Sequence, residues 1–181
     1  MIRKLFMFSL VEMSLIATIS FFAISCKKIE TTGPVTGYVE LYLLDSYKTI
    51  GNTRQIDEST VVTKATPLIE YSELLSYDTD KYVFKISDKA KTAINNIKHS
   101  VFGVPFAVKA GNEIIYTGYF WPGFSSCSCD WVVIDPIMID MKGEMAVNLG
   151  YPGPSFEAAI PDKRNDKRIL DIFANDHKLA R

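Results

Sequence analysis

The sequence predicts an α+β domain with a mostly antiparallel sheet, and three segments indicate it. Residues 81–86 alternate as a strand does and lead directly into 88–98, where apolar residues recur at helical spacing. Residues 104–121 form two alternating runs around Gly111, the pattern of a β-hairpin. Residues 162–179 are charged except at a few apolar positions, which predicts a C-terminal amphipathic helix. We therefore expect a strand-helix-strand-hairpin unit followed by a final helix.

The segment before this unit predicts further strands. Residues 38–44 are rich in strand-forming side chains and end at Asp45, so they predict a first strand. Residues 49–58 have loop composition, 60–63 predict a short strand, and 66–75 fit either a strand or a helix.

Local residues predict where the first helix begins. In the strand before it, Tyr82, Phe84 and Ile86 share one face. Ser87 offers a hydroxyl that can accept a hydrogen bond from the first helical turn, so we predict that it is the N-cap. The apolar face of the helix is then Ala90, Ala93, Ile94 and Ile97.

The hairpin turn also predicts a register. With a two-residue turn, the facing pairs are Ala110 with Glu113, Val108 with Ile115, and Phe106 with Thr117. The predicted core face is Val104, Phe106, Val108, Ile115, Tyr119 and Trp121. Residues 131–134 and 137–139 then predict one strand interrupted at Asp135-Pro136, which places that strand at an edge or a bulge.

Composition excludes several classes of protein. The chain of 181 residues is 48% hydrophobic and 12% aromatic, which excludes a disordered chain because that much apolar surface can form a core. Its 20 Lys and Arg against 21 Asp and Glu give a net charge of -1, so it lacks the basic footprint of a nucleic-acid-binding protein. Residues 37–181 contain no linker or repeat and predict a single domain.

The first 26 residues predict an export signal. Arg3 and Lys4 precede an apolar run at 13–25 that ends in small residues immediately before Cys26. The run of about 13 residues suits a signal peptide better than the roughly 20 residues that a membrane-spanning helix needs. The alternative interpretation is an uncleaved anchor helix with Cys26 as an ordinary buried thiol.

The stretch Ala23-Ile24-Ser25-Cys26 resembles the lipobox of bacterial lipoproteins. The resemblance implies that Cys26 is diacylated, that residues 1–25 are cleaved off, and that the new amino group is then acylated. Residues 26–36 would form a lipidated tether. No aspartate follows Cys26, unlike in the usual inner-membrane retention signal, so the resemblance implies the outer membrane. The lysines after Cys26 do not determine whether the domain is on the periplasmic face or the outer surface of that membrane.

A second resemblance covers residues 82–121. Their order of strand, Ser-capped helix, strand and Gly-containing hairpin is similar to the first periplasmic head subdomain of the SecDF translocon. The matching stretches are 83–87 (VFKIS), leading into Ala90, and 105–115 (PFAVKAGNEII). The membrane helices of that family have no counterpart, so the resemblance implies a fold topology and no translocon activity.

The sequence holds no familiar catalytic or metal-binding motif, such as G-x-S-x-G, H-E-x-x-H, a P-loop or G-x-G-x-x-G. His99 and His177 fall at helix ends, where we expect solvated side chains instead of ligands or bases. A triad of Ser125 or Ser126 with His99 and Asp130 can be drawn, but any chain of this length offers such a trio by chance. We therefore predict no catalytic residue, no metal and no cofactor.

Trp121 and Trp131 flank an unusual loop that contains Cys127 and Cys129. One interpretation is a redox or disulfide pair, or a copper site, because two thiolates at this spacing can bind Cu(I). The methionines that follow are Met138, Met141 and Met145. The other interpretation is that both cysteines pack as small hydrophobic residues and the methionines fill core gaps. We favour the second, because the loop has no histidine and the chain has no second cysteine pair.

The sequence thus predicts an envelope lipoprotein held in the outer membrane by acyl chains on Cys26. We expect its domain to be non-enzymatic and to bind another envelope protein or serve a structural purpose. Its partners would be the membrane, through the lipid anchor, and an envelope protein, with no nucleic acid. The alternative is a thiol-redox or copper-handling lipoprotein that uses Cys127 and Cys129.

Overall fold

The computed structural model of the chain describes residues 37–153 and 160–180. The predicted signal segment 1–25, the tether 26–36 and Cys26 lie outside the described residues. Within the described part, no helix has both the length and the apolar character needed to cross a membrane.

The described residues form an α+β fold, as predicted. The strands are β1 Val39–Ser46, β2 Val62–Thr63, β3 Leu74–Asp78, β4 Val83–Ile86, β5 Val104–Ala110, β6 Glu113–Phe120, β7 Cys129–Ile134, β8 Glu144–Ala146, β9 Asn148–Tyr151 and β10 Leu179–Ala180. The helices are α1 Asp88–Asn95, α2 Pro136–Lys142 and α3 Lys167–Asn175. The ambiguous segment 66–75 contains a 3₁₀ turn at Tyr71–Glu73 and the start of β3.

The strands form two separate sheets. The larger sheet has the order β2-β1-β5-β6-β7-β9, and the smaller has the order β10-β3-β4-β8. Every pair is antiparallel except β6 with β7 and β3 with β10. The prediction of a mostly antiparallel sheet is therefore confirmed.

Strand β6 of the larger sheet is buried along most of its length. Residues 115–120 are all buried, and because side chains alternate along a strand, both of its faces are covered. The Trp131 indole Nε1 donates a hydrogen bond to Thr117 Oγ1 at 2.9 Å, which satisfies the buried hydroxyl. A Cβ atom at Gly118 would lie 2.6 Å from the Phe106 ring, so only glycine fits at this position.

The hairpin forms as predicted, but its register agrees with the prediction only at the turn. Gly111 has a φ of 58°, and Ala110 faces Glu113. A bulge between Val108 and Lys109 adds one residue to β6. The observed pairs beyond it are Val108 with Tyr116, Phe106 with Gly118, and Pro105 with Tyr119. The predicted core face is therefore wrong, because Tyr119 lies on the opposite face from Phe106.

The prediction for residues 131–139 is also partly wrong. β7 is an inner strand between β6 and β9, and the segment after it is the helix α2 instead of a continued strand. The physical reason is the Asp-Pro pair. Asp135 accepts a hydrogen bond from Ile137 N at 3.0 Å as the N-cap, and Pro136 occupies the first helical position, where its missing N–H costs nothing.

The strand-helix junction confirms the predicted cap. Ser87 Oγ accepts a hydrogen bond from Ala90 N at 3.1 Å and donates one to the Glu73 carboxylate, which joins α1 to the end of the 3₁₀ turn. Ala90 and Ile94 are buried, and α1 ends at Asn95, earlier than predicted.

Helix α3 confirms the predicted C-terminal amphipathic helix, although it is shorter than 162–179. Its buried face is Ile169, Ile172 and Phe173. The Phe173 ring packs against Tyr77 and Phe84 of the smaller sheet, with ring centroids 5.9 and 5.7 Å away. These aromatic contacts hold the helix on that sheet.

We expect Gly111→Val to lower the free energy of unfolding by about 1–3 kcal/mol, because a β-branched residue resists a positive φ. The added side chain would meet nothing within 4 Å, so the loss measures backbone strain alone. Gly153→Val is the matched control, since a side chain there also meets nothing within 4 Å among the described residues, but the φ of Gly153 is not positive. Thermal or urea unfolding checks the prediction, and equal stability of the two variants would contradict the assigned turn.

Candidate functional site

Three chain segments meet at one end of the larger sheet. Val104, Phe120 and Ile134 lie in one row across β5, β6 and β7. Residues 101–102 come just before this row, the loop 121–128 follows β6, and α2 follows β7. All three segments therefore emerge from the same end.

Each of these three segments carries exposed apolar side chains. We call them the apolar surface, and they are Val101, Phe102, Phe124, Ile137 and Met141. Phe124 and Met141 are 67% and 74% exposed, which is unfavourable for side chains of this size in water. Exposed apolar side chains near one another make this end of the sheet a candidate interaction site.

Direct contacts connect the three segments. Ser125 Oγ donates a hydrogen bond to the Val101 carbonyl at 2.7 Å, so the loop 121–128 is joined to the segment before β5. Phe124 and Ile137 line one cavity, which joins the same loop to α2. Met141 lies one helical turn beyond Ile137 and so on the same face of α2.

The cavity within this surface has a volume of about 220 Å³. Its lining residues are Asn95, His99, Pro122, Phe124, Pro136, Ile137 and Asp140. Asn95 Nδ2 donates a hydrogen bond to Asp140 Oδ1 at 2.9 Å, and Lys91 Nζ lies 3.7 Å from the same oxygen. These contacts join α1 to α2 at the polar rim of an otherwise apolar cavity.

His99 is half-buried in this cavity wall, in contrast to the expected solvated position. Its Nε2 lies 3.0 Å from the Ile94 carbonyl oxygen. Its ring packs edge-on against the Phe120 ring, with the two ring centroids 6.4 Å apart. Its Nδ1 is buried and has no partner among the described residues. His177 is exposed at the end of α3, as predicted.

The serine-histidine-aspartate trio, which the sequence analysis attributes to chance, is not assembled in the described part of the chain. Ser125 Oγ bonds to the Val101 carbonyl, and His99 Nε2 to the Ile94 carbonyl. Asp130 Oδ1 accepts a hydrogen bond from Arg54 N at 2.7 Å. Each group therefore has a local structural partner.

Several hydrogen bonds hold the loop that carries the cysteines. Trp121 Nε1 donates to the Cys127 carbonyl at 3.3 Å, and Cys127 N donates to Ser125 Oγ at 3.1 Å. The Tyr151 hydroxyl on β9 donates to the Gly123 carbonyl at 2.7 Å. The conformation of the loop is thus fixed by its neighbours on both sides.

Cys127 and Cys129 are both free thiols. Cys129 is the first residue of β7 and is completely buried. Burial raises the pKa of its thiol to about 12, because a thiolate would lose its hydration there. Cys127 is half-buried and packs against the core. These positions fit the packing interpretation, and the redox pair stays a prediction.

The methionines do not form a common environment. Met145 is buried in β8, whereas Met141 is exposed on α2. No group of three or more His, Cys, Asp or Glu residues suited to a metal ion occurs in 37–153 and 160–180.

Arg54 is a further residue near the loop that the sequence did not single out. Its guanidinium stacks over the rings of Phe102 and Trp121, at 5.5 and 5.7 Å from their centroids. It also lines an open polar cavity of about 510 Å³ together with Cys127 and Asp130. Arg54 thereby links the apolar surface to the cysteine loop.

Sequence reasoning missed Asn95, Asp140, Phe124 and Ile137 as site residues. The Asp135-Pro136 pair could have indicated Ile137, because a helix that begins there places Ile137 and Met141 on one face. The remaining contacts join residues far apart in the chain and have no sequence pattern.

Comparison with known proteins found no match among protein-family models, curated proteins or solved structures.

We expect the purified chain to bind Cu(I) no more tightly than its Cys127→Ser/Cys129→Ser variant, because the Cys129 thiol is buried and stays protonated at neutral pH. Competition against a chelator of picomolar or tighter affinity measures the difference. Cys26 is the same in both proteins, so it does not affect the comparison. Markedly tighter binding by the unsubstituted chain would favour the copper-handling alternative.

Proposed function

We propose that this protein is a lipid-anchored envelope protein whose domain binds another envelope protein through the apolar surface. The observation that carries the proposal is the exposure of five large apolar side chains at one end of the larger sheet. The proposal includes no chemical step.

The described chain begins far from the apolar surface. Val39 faces Ala110 in the row next to the hairpin turn, and Gly111 N donates a hydrogen bond to the Tyr38 carbonyl at 2.9 Å. The described chain therefore begins beside the turn. The apolar surface follows the other end of β6, about 23 Å away at the usual rise per strand residue. The start of the described chain and the apolar surface therefore lie at opposite ends of the larger sheet.

The composition of the apolar surface favours a protein as its partner. Protein interfaces are enriched in aromatic residues and methionine at their centres and are depleted of charge there. Phe102, Phe124 and Met141 provide these residue types, and the charges of Lys91 and Asp140 lie at the rim and face each other.

The export and anchoring part of the proposal rests on the sequence. The lipobox-like stretch before Cys26 supports lipidation, and the absence of aspartate after it supports the outer membrane. Three acyl chains would hold the protein firmly, since two already suffice for stable anchoring.

The alternative, a thiol-redox or copper-handling protein that uses Cys127 and Cys129, has weaker support. Copper binding and thiol exchange both need an accessible thiolate. The burial of Cys129 removes one of the two thiols, which leaves Cys127 at the open cavity as the single candidate of the pair.

We expect the membrane form of the protein to begin at Cys26 and to carry added acyl mass. Cys26→Ala should prevent cleavage and lipidation, because the acylated thiol is what the processing steps require. Intact-mass analysis of the membrane fraction checks both statements, with Cys127→Ser as the control that should still be lipidated. An unmodified chain that begins at Met1 would contradict the anchor.

We expect p-benzoylphenylalanine placed at Met141 to form photo-crosslinks to a different protein in the intact envelope, because this side chain lies on the apolar surface. The same probe at Leu75 is the control, since Leu75 is also exposed but lies on β3 of the smaller sheet. Gel shift and mass spectrometry of the adducts provide the measurement. Adducts to lipid or to a second copy alone, or equal adducts at both positions, would contradict the proposal.

A further inference from the structure

We propose that the open polar cavity lined by Arg54, Cys127 and Asp130 binds a small ligand that carries a carboxylate and hydroxyl groups, of the type of a uronic acid or a hydroxy acid. Arg54 binds the carboxylate. The inference goes beyond the proposed function, because it concerns a second site with a different class of ligand.

Arg54 differs from the other arginines that the structure describes. Arg164 and Arg168 each bind a nearby aspartate through two nitrogens, at 2.8–2.9 Å. The Arg54 guanidinium has neither an ion pair nor a hydrogen-bond acceptor within residues 37–153 and 160–180. Its N–H donors are therefore available for the same two-point contact with a carboxylate from outside the chain.

Two aromatic rings hold the guanidinium in place. It lies over the rings of Phe102 and Trp121, at 5.5 and 5.7 Å from their centroids. A ring against the face of a guanidinium leaves the in-plane N–H donors free. The apolar rings also lower the local dielectric constant, which strengthens the attraction between the guanidinium and an anion.

The backbone that carries Arg54 is fixed as well. Arg54 N donates a hydrogen bond to Asp130 Oδ1 at 2.7 Å, and Ile56 is buried in the core. Thr53 Oγ1 donates to the Ile50 carbonyl at 2.6 Å, which closes the turn before Arg54. Because these contacts already order the loop, binding a ligand costs less conformational entropy there.

The cavity provides space and polar groups for the remainder of the ligand. Its volume of about 510 Å³ falls within the roughly 300–1,000 Å³ of cavities that hold small molecules. Asn52, Ser126 and Ser128 line it, and their side chains have no hydrogen-bond partner in the described part of the chain. Amide and hydroxyl groups can donate to ligand hydroxyls and accept from them. These walls therefore suit a hydroxylated ligand.

The charge of Asp130 favours a carboxylate over a phosphate. Asp130 lines the same cavity, so any negative charge that Arg54 does not offset is repelled there. A carboxylate has one charge, which one guanidinium neutralises. A phosphate monoester has about 1.5–2 negative charges near neutral pH and would keep part of this charge beside Asp130.

Ligand-observed NMR tests the proposal on the full chain in phosphatidylcholine nanodiscs. Binding is followed by saturation transfer from the protein to the probe at constant ionic strength, with empty nanodiscs as the blank. Glucuronate and glucuronamide form a matched pair, because the amide keeps the hydroxyls and loses the charge. Lactate represents a small hydroxy acid, and inorganic phosphate is added as a competitor.

We expect glucuronate to bind about tenfold more tightly than glucuronamide, because hydrogen bonds between charged groups are the stronger ones. Phosphate should displace glucuronate less effectively than lactate does. Tighter binding of glucuronate than of lactate would assign the site to a uronic acid, and the reverse order would assign it to a hydroxy acid.

Four variants attribute the binding to Arg54. Arg54→Gln should abolish the difference between glucuronate and glucuronamide, and Arg54→Lys should reduce it, because lysine keeps the charge without the planar fork. Asp130→Asn should strengthen glucuronate binding, since it removes the repulsion and keeps an acceptor for Arg54 N. Arg168→Gln is the matched control, because it removes the same charge from an exposed arginine on α3, and it should leave glucuronate binding unchanged.

Four results would overturn the inference. They are glucuronate binding no stronger than to empty nanodiscs, equal binding of glucuronate and glucuronamide, equal weakening by Arg54→Gln and Arg168→Gln, and stronger competition by phosphate than by lactate. The first, second and fourth need only the unsubstituted chain, so they hold even if Arg54→Gln does not fold. The crosslinks from Met141 test the proposed function separately.

Discussion

The structure depends on the burial of β6 on both of its faces. A strand covered on both sides needs apolar or hydrogen-bonded side chains at every position, and β6 meets this need from Ile115 to Phe120. Gly118 leaves room for the Phe106 ring, and Thr117 is satisfied by the Trp131 indole. Because β5 and β7 pair with β6, their ends are aligned with it. The apolar surface exists only because that alignment brings three separate segments to one end of the sheet.

Features determined by a few neighbouring residues were predictable from the sequence. The Ser87 cap and the positive φ of Gly111 each depend on local chemistry, and both are observed. The bulge at Val108 was not predictable, because it depends on how β5 and β6 pack within the finished sheet. The apolar run at 137–139 has too few residues to separate a strand from a helix. The Asp135-Pro136 pair decides in favour of the helix.

The same distinction holds for the candidate site. The cysteine loop is visible in the sequence because Cys127 and Cys129 are unusual residues placed close together. Its surroundings are not visible, since the burial of Cys129 depends on β7 becoming an inner strand. The cavity, in contrast, has no visible signal in the sequence. Asn95 and Asp140 are common residue types, and they come into contact only because α1 and α2 lie side by side.

The placement of β1 has a mechanical consequence. β1 is the first described element and lies between β2 and β5, with five residues paired along β5. Tension that enters the domain through Gly37 would therefore act along a strand within the sheet instead of peeling away an edge. The hydrogen bonds between β1 and β5 would carry such a force together, as a shear load. A domain held at Gly37 and pulled at the apolar surface would thus be loaded along the length of the β1–β5 pair.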